Sequence, residues 1–500
     1  MPAHAFDALR ARLAELNDLR LVGQLVGWDQ RTMMPPAGGP ERAEQMATLQ
    51  RIAHERFIAD EVGEWLGALA DAELGETDRD IVRVTQRDYD RARRVPTDLA
   101  AEIAQASAAG QDAWEVARAK DDFASFAPVL ERNVELARRY AACFDGFASP
   151  YDALLQDYDH GLTSARIEEV FGELRRALPP LVAERAALPA PPPLAIPVAA
   201  QQAAVTGVLA RFGVDPQSWR VDVSSHPFST NVGLRDSRIT TRYEDGQMES
   251  LLAAMHEFGH ALYDRQVGAD LARTTLADGT SMSIHESQSK LWENHVGRNP
   301  AFAGILAREL TDAGHAVTAA DVNAALRAVR PTLIRVSADE VTYPLHIVMR
   351  FELERALVDG DLAVRDLPAA WNDATRELLG LEVPSDAVGV LQDVHWSGLS
   401  FGYFPSYALG CLIAAQLWET LEAELGSRDE ALAAGDVAAI GDWLGDRVHR
   451  WGRRRDTVDI VESATGRGLD AAPFLRHVAR SSGTESSGTK ISASGPIDSA

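Results

Sequence analysis

Apolar residues recur at three- and four-residue spacing along most of this chain, a period that predicts helices. Phe6, Leu9, Leu13 and Leu16 form one such stripe, and Val170, Phe171, Leu174 and Leu178 form another. The text from Ala5 to about Pro179 is of this kind, rich in Ala, Leu, Arg and Glu. A break is expected from Trp28-Asp29-Gln30 to Gly39, where prolines and glycines punctuate the helical pattern. Pro189 to Pro197 reads as a proline-rich surface crossing. Convincing strand text is confined to the stretch between Arg220 and Tyr243. Arg220-Val221-Asp222-Val223 alternates, and Arg238-Ile239-Thr240-Thr241-Arg242-Tyr243 is β-branched and aromatic. Helical text resumes at Met248 and runs, with loops, to about Arg480. Residues 481–500 are rich in Ser, Gly and Thr and are expected to form a disordered tail. The prediction is a mainly α fold with one small β-sheet, without internal repeats.

Composition narrows the class but does not choose a function. Of 500 residues, 46% are apolar and 25% charged, the balance of a globular chain. No run approaches the roughly 18 apolar residues that a membrane span needs. The first residues carry neither the apolar core nor the cleavage site of a secretory signal. Cys143 and Cys411 are the only cysteines, so no disulfide framework is expected. A cytoplasmic location is the simplest expectation. The formal net charge of -25 opposes binding to nucleic acid or to an anionic membrane, because the field of the whole chain would repel both.

Chemistry enters at His256-Glu257-Phe258-Gly259-His260. Residues i and i+4 lie about 40° apart on a helix, so both imidazoles project from one face toward a single ion. Two neutral imidazoles suit zinc, and Glu257 beside them is placed to act as a general base on a water. Leu251, Leu252, Met255, Phe258 and Leu262 offer an apolar surround. Gly259 weakens a helix by about 1 kcal/mol relative to Ala, which suggests that another segment approaches closely there. A catalytic zinc site needs a third protein ligand. Glu286, in Ser283-Ile284-His285-Glu286-Ser287-Gln288, is the first candidate, with Glu293 two turns further along as the second. His285 points about 100° away from Glu286 and is expected to support the site or pack.

Six ordered motifs resemble those of the carboxypeptidase Taq family of metallocarboxypeptidases. They are His226-Pro227-Phe228, Asp236-Ser237-Arg238-Ile239-Thr240, the run His256 to His260, and His285-Glu286-Ser287-Gln288. Ile334-Arg335-Val336-Ser337-Ala338-Asp339 and Gly389-Val390-Leu391-Gln392-Asp393-Val394-His395-Trp396 complete the set. The segment from Trp28 to Gly39 and the run Gly402-Tyr403-Phe404-Pro405-Ser406-Tyr407 also look like that family. The resemblance implies a helical, cleft-shaped fold similar to neurolysin and angiotensin-converting enzyme, here one domain of two lobes over residues 1–480. It implies one zinc ion per chain, with cobalt or manganese as alternatives, and a homodimer. It implies release of single C-terminal residues from peptides with broad preference.

Site roles follow as expectations. Glu257 is the base, and His395 and Tyr407 are candidates to stabilise the oxyanion, with Tyr403 as a rival to Tyr407. Arg335 matches the position that the resemblance implies for binding the substrate's free carboxylate, a task suited to a guanidinium fork. Read alone, the same arginine would be a structural ion pair. His226 and Arg238 flank the strand text, where an extended substrate could add as a strand. Asp236, Asp339 and Asp393 are expected to orient neighbouring cations or imidazoles. Two other readings remain open: an endo-oligopeptidase of the same helical superfamily, and a non-catalytic zinc-binding helical protein.

Overall fold

A computed structural model describes residues 2–480, so the tail expected over residues 481–500 lies outside the described part. The first helix spans Pro2–Thr32 and buries Phe6, Leu9 and Leu13, as its stripe predicts. It also runs through Trp28, Asp29 and Gln30, so the segment from Trp28 to Gly39 is not helical throughout, as expected, but breaks only after Thr32. The chain leaves the helix only near Pro35, where the Asp29 carbonyl accepts from the amides of Met33 and Met34. A short 3-10 turn, Pro36–Gly38, then leads into the next helix, Gly39–Phe57. The Pro189 to Pro197 crossing is irregular as expected, but it is anchored. Ile196 is buried and pairs with Gly246 in an isolated bridge.

Three strands form the sheet: β1 (Trp219–Val223), β2 (Ser229–Gly233) and β3 (Asp236–Thr241), in the order β1-β3-β2. β1 runs parallel to β3 and β2 antiparallel to it, with an irregularity between Asn231 and Gly233. The motif helix, Glu249–Arg265, packs directly on this sheet. Thr241 donates to the Ser250 carbonyl at its start, and Asn231 to the Ala261 carbonyl further along. Trp219 stacks on Phe258 at 5.4 Å between ring centroids.

Two hydrophobic cores hold these elements. The larger includes the motif helix, the helix Met282–Lys290 and the helix Phe404–Leu425. The smaller gathers Leu9, Leu13, Val62, Leu66, Ile81 and Val84 with Val267 and Leu271. Among the described residues, no helix is long and apolar enough to cross a membrane.

Three helices of the larger core meet where two glycines allow it. A Cβ on Gly259 would stand 2.5 Å from the Gln288 carbonyl oxygen and 2.7 Å from Ser289 Cα. A Cβ on Gly410 would stand 2.5 Å from Glu286 Cγ. The close approach inferred from Gly259 is therefore that of the Met282–Lys290 helix. It brings Glu286 against the two histidines.

Candidate metal centre

His256 and His260 leave the motif helix one turn apart, their ring centroids separated by 4.9 Å. Glu286 Oε2 lies 3.7 Å from His256 Nε2 and 3.4 Å from His260 Nε2. These three donors converge within 4.8 Å of one another, a spacing that a single ion can span.

The opposite edge of each imidazole is held by the protein. His256 Nδ1 is 2.8 Å from Glu293 Oε2, so the ring donates there and turns its Nε2 lone pair toward Glu286. His260 Nδ1 is 2.7 Å from His285 Nδ1, and His285 Nε2 is 3.0 Å from Asp264 Oδ1. One proton arrangement satisfies that chain. His285 donates to Asp264 and accepts from His260, which leaves His260 Nε2 free to ligate. Two imidazoles with oriented lone pairs and one carboxylate fit a divalent ion. Glu293, the second candidate for the third ligand, instead supports His256. It also takes a 2.8 Å contact from the buried Lys290.

Burial and charge set the ionisation of the carboxylates. Burial pushes Glu257 up to about 7, with Glu286 and Glu293 adding repulsion and His256 opposing. Burial also disfavours the charged form of Glu286, but His256, His260 and Lys290 together hold it at about 2. Glu286 is thus ready to ligate. The Glu257 side chain makes no hydrogen bond to the protein and remains available to a water.

Glu257, His256, His260 and Glu286 line a cavity of about 720 Å³ between the two cores. The first helix contributes Asn17, Arg20, Leu21 and Gln24 to its wall. The β2 region contributes Pro227, Phe228, Thr230 and Asn231, and Tyr403 and Tyr407 close another side. His395 lies behind these tyrosines, with Nε2 3.1 Å from the Tyr407 hydroxyl and its ring stacked on Tyr403. Burial, with Arg335 adding repulsion, lowers His395 to about 3, so its imidazole is neutral.

Arg335 is buried next to Tyr407, its guanidinium 4.9 Å from that ring, and is not itself part of the cavity wall. Asp393 receives Arg335 Nε and Nη2 at 3.0 and 2.9 Å on one oxygen and Arg350 Nε at 2.6 Å on the other. Nη1 reaches Tyr343 at 3.4 Å. The expectation that Asp393 orients cations therefore corresponds to a direct contact, whereas Asp339 differs. Its carboxylate accepts from the Arg330, Val341 and Thr342 amides and so organises the chain entering the helix Tyr343–Asp359.

Arg238 does not reach the cavity. It forms a bidentate pair with Asp236 at 2.9 and 2.8 Å and lies over Trp28. His226 is exposed and its ring makes no hydrogen bond, while its neighbours Pro227 and Phe228 do line the cavity. Sequence reasoning missed Asp264, Lys290, Tyr343 and Arg350. Asp264 had one readable signal, since it lies four residues after His260 on the same helical face.

The description "Carboxypeptidase Taq (M32) metallopeptidase" belongs to the family model that matches residues 8–481. Thermostable carboxypeptidase 1 of Thermus thermophilus is 39% identical, over 95% of this chain and 98% of its own. Its counterpart from Pyrococcus furiosus is 36% identical, over 94% and 98%. The crystal structure of the M32 carboxypeptidase from Deinococcus radiodurans R1 superposes with a TM-score of 0.93 at 35% identity, covering 96% of this chain and 99% of that one. Likeness of this degree, in sequence and in backbone, extends over nearly the whole chain: it belongs to the carboxypeptidase Taq (M32) family and is a metallocarboxypeptidase.

Proposed function

We propose that the protein removes single residues from the free C-termini of peptides, with zinc held by His256, His260 and Glu286. The observation that carries this reading is the convergence of those three donors beside a buried, unpartnered Glu257. Two imidazoles and one carboxylate suit zinc, and cobalt or manganese can use the same donors. When bound, such an ion supplies Lewis acidity that polarises the scissile carbonyl and makes a water easier to deprotonate.

Glu257 accepts the proton of the attacking water and passes it to the leaving amine. Burial favours this exchange, since it raises the carboxylate toward the pH at which it both takes and returns a proton. Tyr407 and Tyr403 present hydroxyls to the same cavity, and either can donate to the developing oxyanion. Neutral His395 accepts from or donates to Tyr407 and so fixes the direction of its O–H. Arg335 is the proposed partner of the substrate's terminal carboxylate. Asp393 takes its Nε side, leaving the Nη side for a second fork, and Tyr407 must shift for a substrate to reach it.

The test uses N-blocked peptides that differ only in a free or an amidated C-terminus, with products followed by mass. Stepwise loss of single residues from the free acid alone, abolished by a chelator and by Glu257→Gln, is the expected result. Internal cleavage of both peptides would assign an endo-oligopeptidase and remove Arg335 from its role. No cleavage with any added divalent ion would leave a metal-binding scaffold without activity.

A further inference from the structure

The guanidiniums lining the catalytic cavity already have carboxylate partners. Arg20 faces Asp278 at 3.1 Å, Arg453 faces Asp88 at 2.8 Å, and Arg273 is bound to Asp18. Arg31, at the rim, has none among the described residues. It occupies the last turn of the first helix, seven residues beyond Gln24 and fourteen beyond Asn17, both of which line the cavity. Steps of seven keep a residue on one helical face, so Arg31 continues the wall that those two residues form. Its guanidinium lies over the ring of Phe228, 3.9 Å from the centroid, and Phe228 lines the cavity too. The contact holds the cation at the cavity mouth and leaves its N–H edge free. The one protein hydrogen bond of the side chain is weak, 3.4 Å from Nε to the Gly27 carbonyl, and both terminal nitrogens are uncommitted.

A helix C-terminus favours a basic residue, which alone would explain an arginine in the last turn. It does not explain why the guanidinium is laid on Phe228, a residue of the cavity wall, without a counter-charge. Burial lowers the pKa of Arg31, and the offsetting carboxylate is the catalytic Glu257 across the cavity. A guanidinium held against the cavity wall by Phe228, with its terminal nitrogens uncommitted and no ion pair, is set to receive an anionic group from outside the chain. With Arg335 assigned to the terminal carboxylate, that group comes from the part of the peptide upstream of the cleaved bond.

We propose that Arg31 is a specificity-determining residue that binds an acidic side chain one or two positions N-terminal to the scissile bond. This rests on the carboxypeptidase reading above and adds a substrate preference to it. Charge explains the selectivity. The cavity also contains Glu257 and Glu286, which repel an acidic substrate, so one well-placed cation decides whether such a peptide is accepted.

The experiment compares metal-loaded protein on matched N-blocked peptides with one C-terminal residue and Asp or Asn at each of the two upstream positions. The readout is the Asp-to-Asn ratio of kcat/KM, which cancels any general loss of fold or of metal. At one of those positions the ratio should fall by about three- to tenfold in Arg31→Gln, the range expected of a partly exposed charge-assisted contact. Arg31→Lys should retain most of the preference, and Arg31→Glu should favour Lys over Asp at the same position. Added salt should reduce the wild-type ratio and leave that of Arg31→Gln nearly flat. A ratio equal in the wild type and Arg31→Gln at both positions would overturn the inference and leave the carboxypeptidase reading intact. Failure of the wild type to cleave any of the peptides would overturn both.

Discussion

Glu257 and Glu286 share one buried cavity, yet their surroundings drive them in opposite directions. Glu286 faces two imidazoles with Lys290 behind it and is held ionised, while at Glu257 burial outweighs the neighbouring His256 and raises the carboxylate to about 7. A ligand and a base are thereby separated by environment alone. The difference was partly legible in the sequence, because the i, i+4 spacing puts His256 and His260 on one face, as the structure has them, with Glu257 beside them. The role of Glu293 was not. From Leu291 to Gly297 the helix continues in π form, which no apolar periodicity reveals, and Glu293 meets the far nitrogen of His256. Arg335 was named from its motif, but its enclosure joins the nearby Tyr343 to Asp393 and Tyr407, which lie far along the chain. Outer partners of this kind orient the ligand and raise its basicity. Glu293→Gln should therefore weaken metal affinity by about 10- to 100-fold, since the amide no longer supplies a charged acceptor to His256. Competition titration with a metal-binding dye measures this, and an unchanged affinity would deny Glu293 its supporting role.

At the scale of elements, the site depends on how closely three helices approach. Helix–helix distance is normally set by side chains, but Gly259 and Gly410 remove them at the two contacts that bring Glu286 into reach. Gly259→Ala would drive a methyl group into the backbone of Gln288 and Ser289, which cannot yield as a flexible side chain can. The expected cost is about 1–3 kcal/mol of stability, the usual range for overpacking, with a parallel loss of metal affinity as Glu286 is displaced. Thermal unfolding of the metal-free protein isolates the first effect. A variant as stable as the wild type would show that these helices are not held at contact by the glycine. That this glycine needed a close neighbour was readable from its helical context; the identity of the neighbour was not, because tertiary contact leaves no local signal. The exact place of the break after Trp28 has a similar origin. The glycines and prolines from Pro35 onward suggested an early break, but a proline restricts only itself and the residue before it, so the helix could continue past Gln30. The strands were legible because the alternation at Arg220 to Val223 and the β-branched, aromatic run from Arg238 to Tyr243 depart from the three- and four-residue spacing of the helical text.

Across the whole molecule, the catalytic groups are drawn from segments that only the tertiary fold unites, and two predictions concern how that union is kept. Glu354, fully buried, accepts from the Tyr151 hydroxyl at 2.8 Å, the Trp396 indole at 2.6 Å and the Gly402 amide at 2.5 Å. It thus pins both ends of the segment between His395 and Tyr403. Burial raises its pKa from 4.5 to about 7, with the three donors pulling the other way. Between those values the folded chain binds a proton that the unfolded chain releases, so this group's contribution to stability is complete below about pH 4.5 and is lost as pH rises through 7. Glu354→Gln should remove that part of the slope in melting temperature between pH 5 and 7, and an unchanged slope would locate the titration elsewhere. The proposed ion would act on the same fold through the residues that hold it. Its three proposed ligands come from the motif helix and the Met282–Lys290 helix, both in the larger core, so they converge only in the native state. A ligand that binds only the folded form stabilises it by RT ln(1 + [L]/Kd), about 4 kcal/mol when the free ion exceeds Kd a thousandfold. Removal of the ion with a chelator should lower the melting temperature, and readdition should restore both stability and turnover. Because the smaller core supplies no ligand, calorimetry should show the shift in the transition that melts the larger core. Loss of turnover on chelation without any change in melting would contradict this linkage and would mean either that the free ion never greatly exceeds its Kd or that the unfolded chain binds it as well.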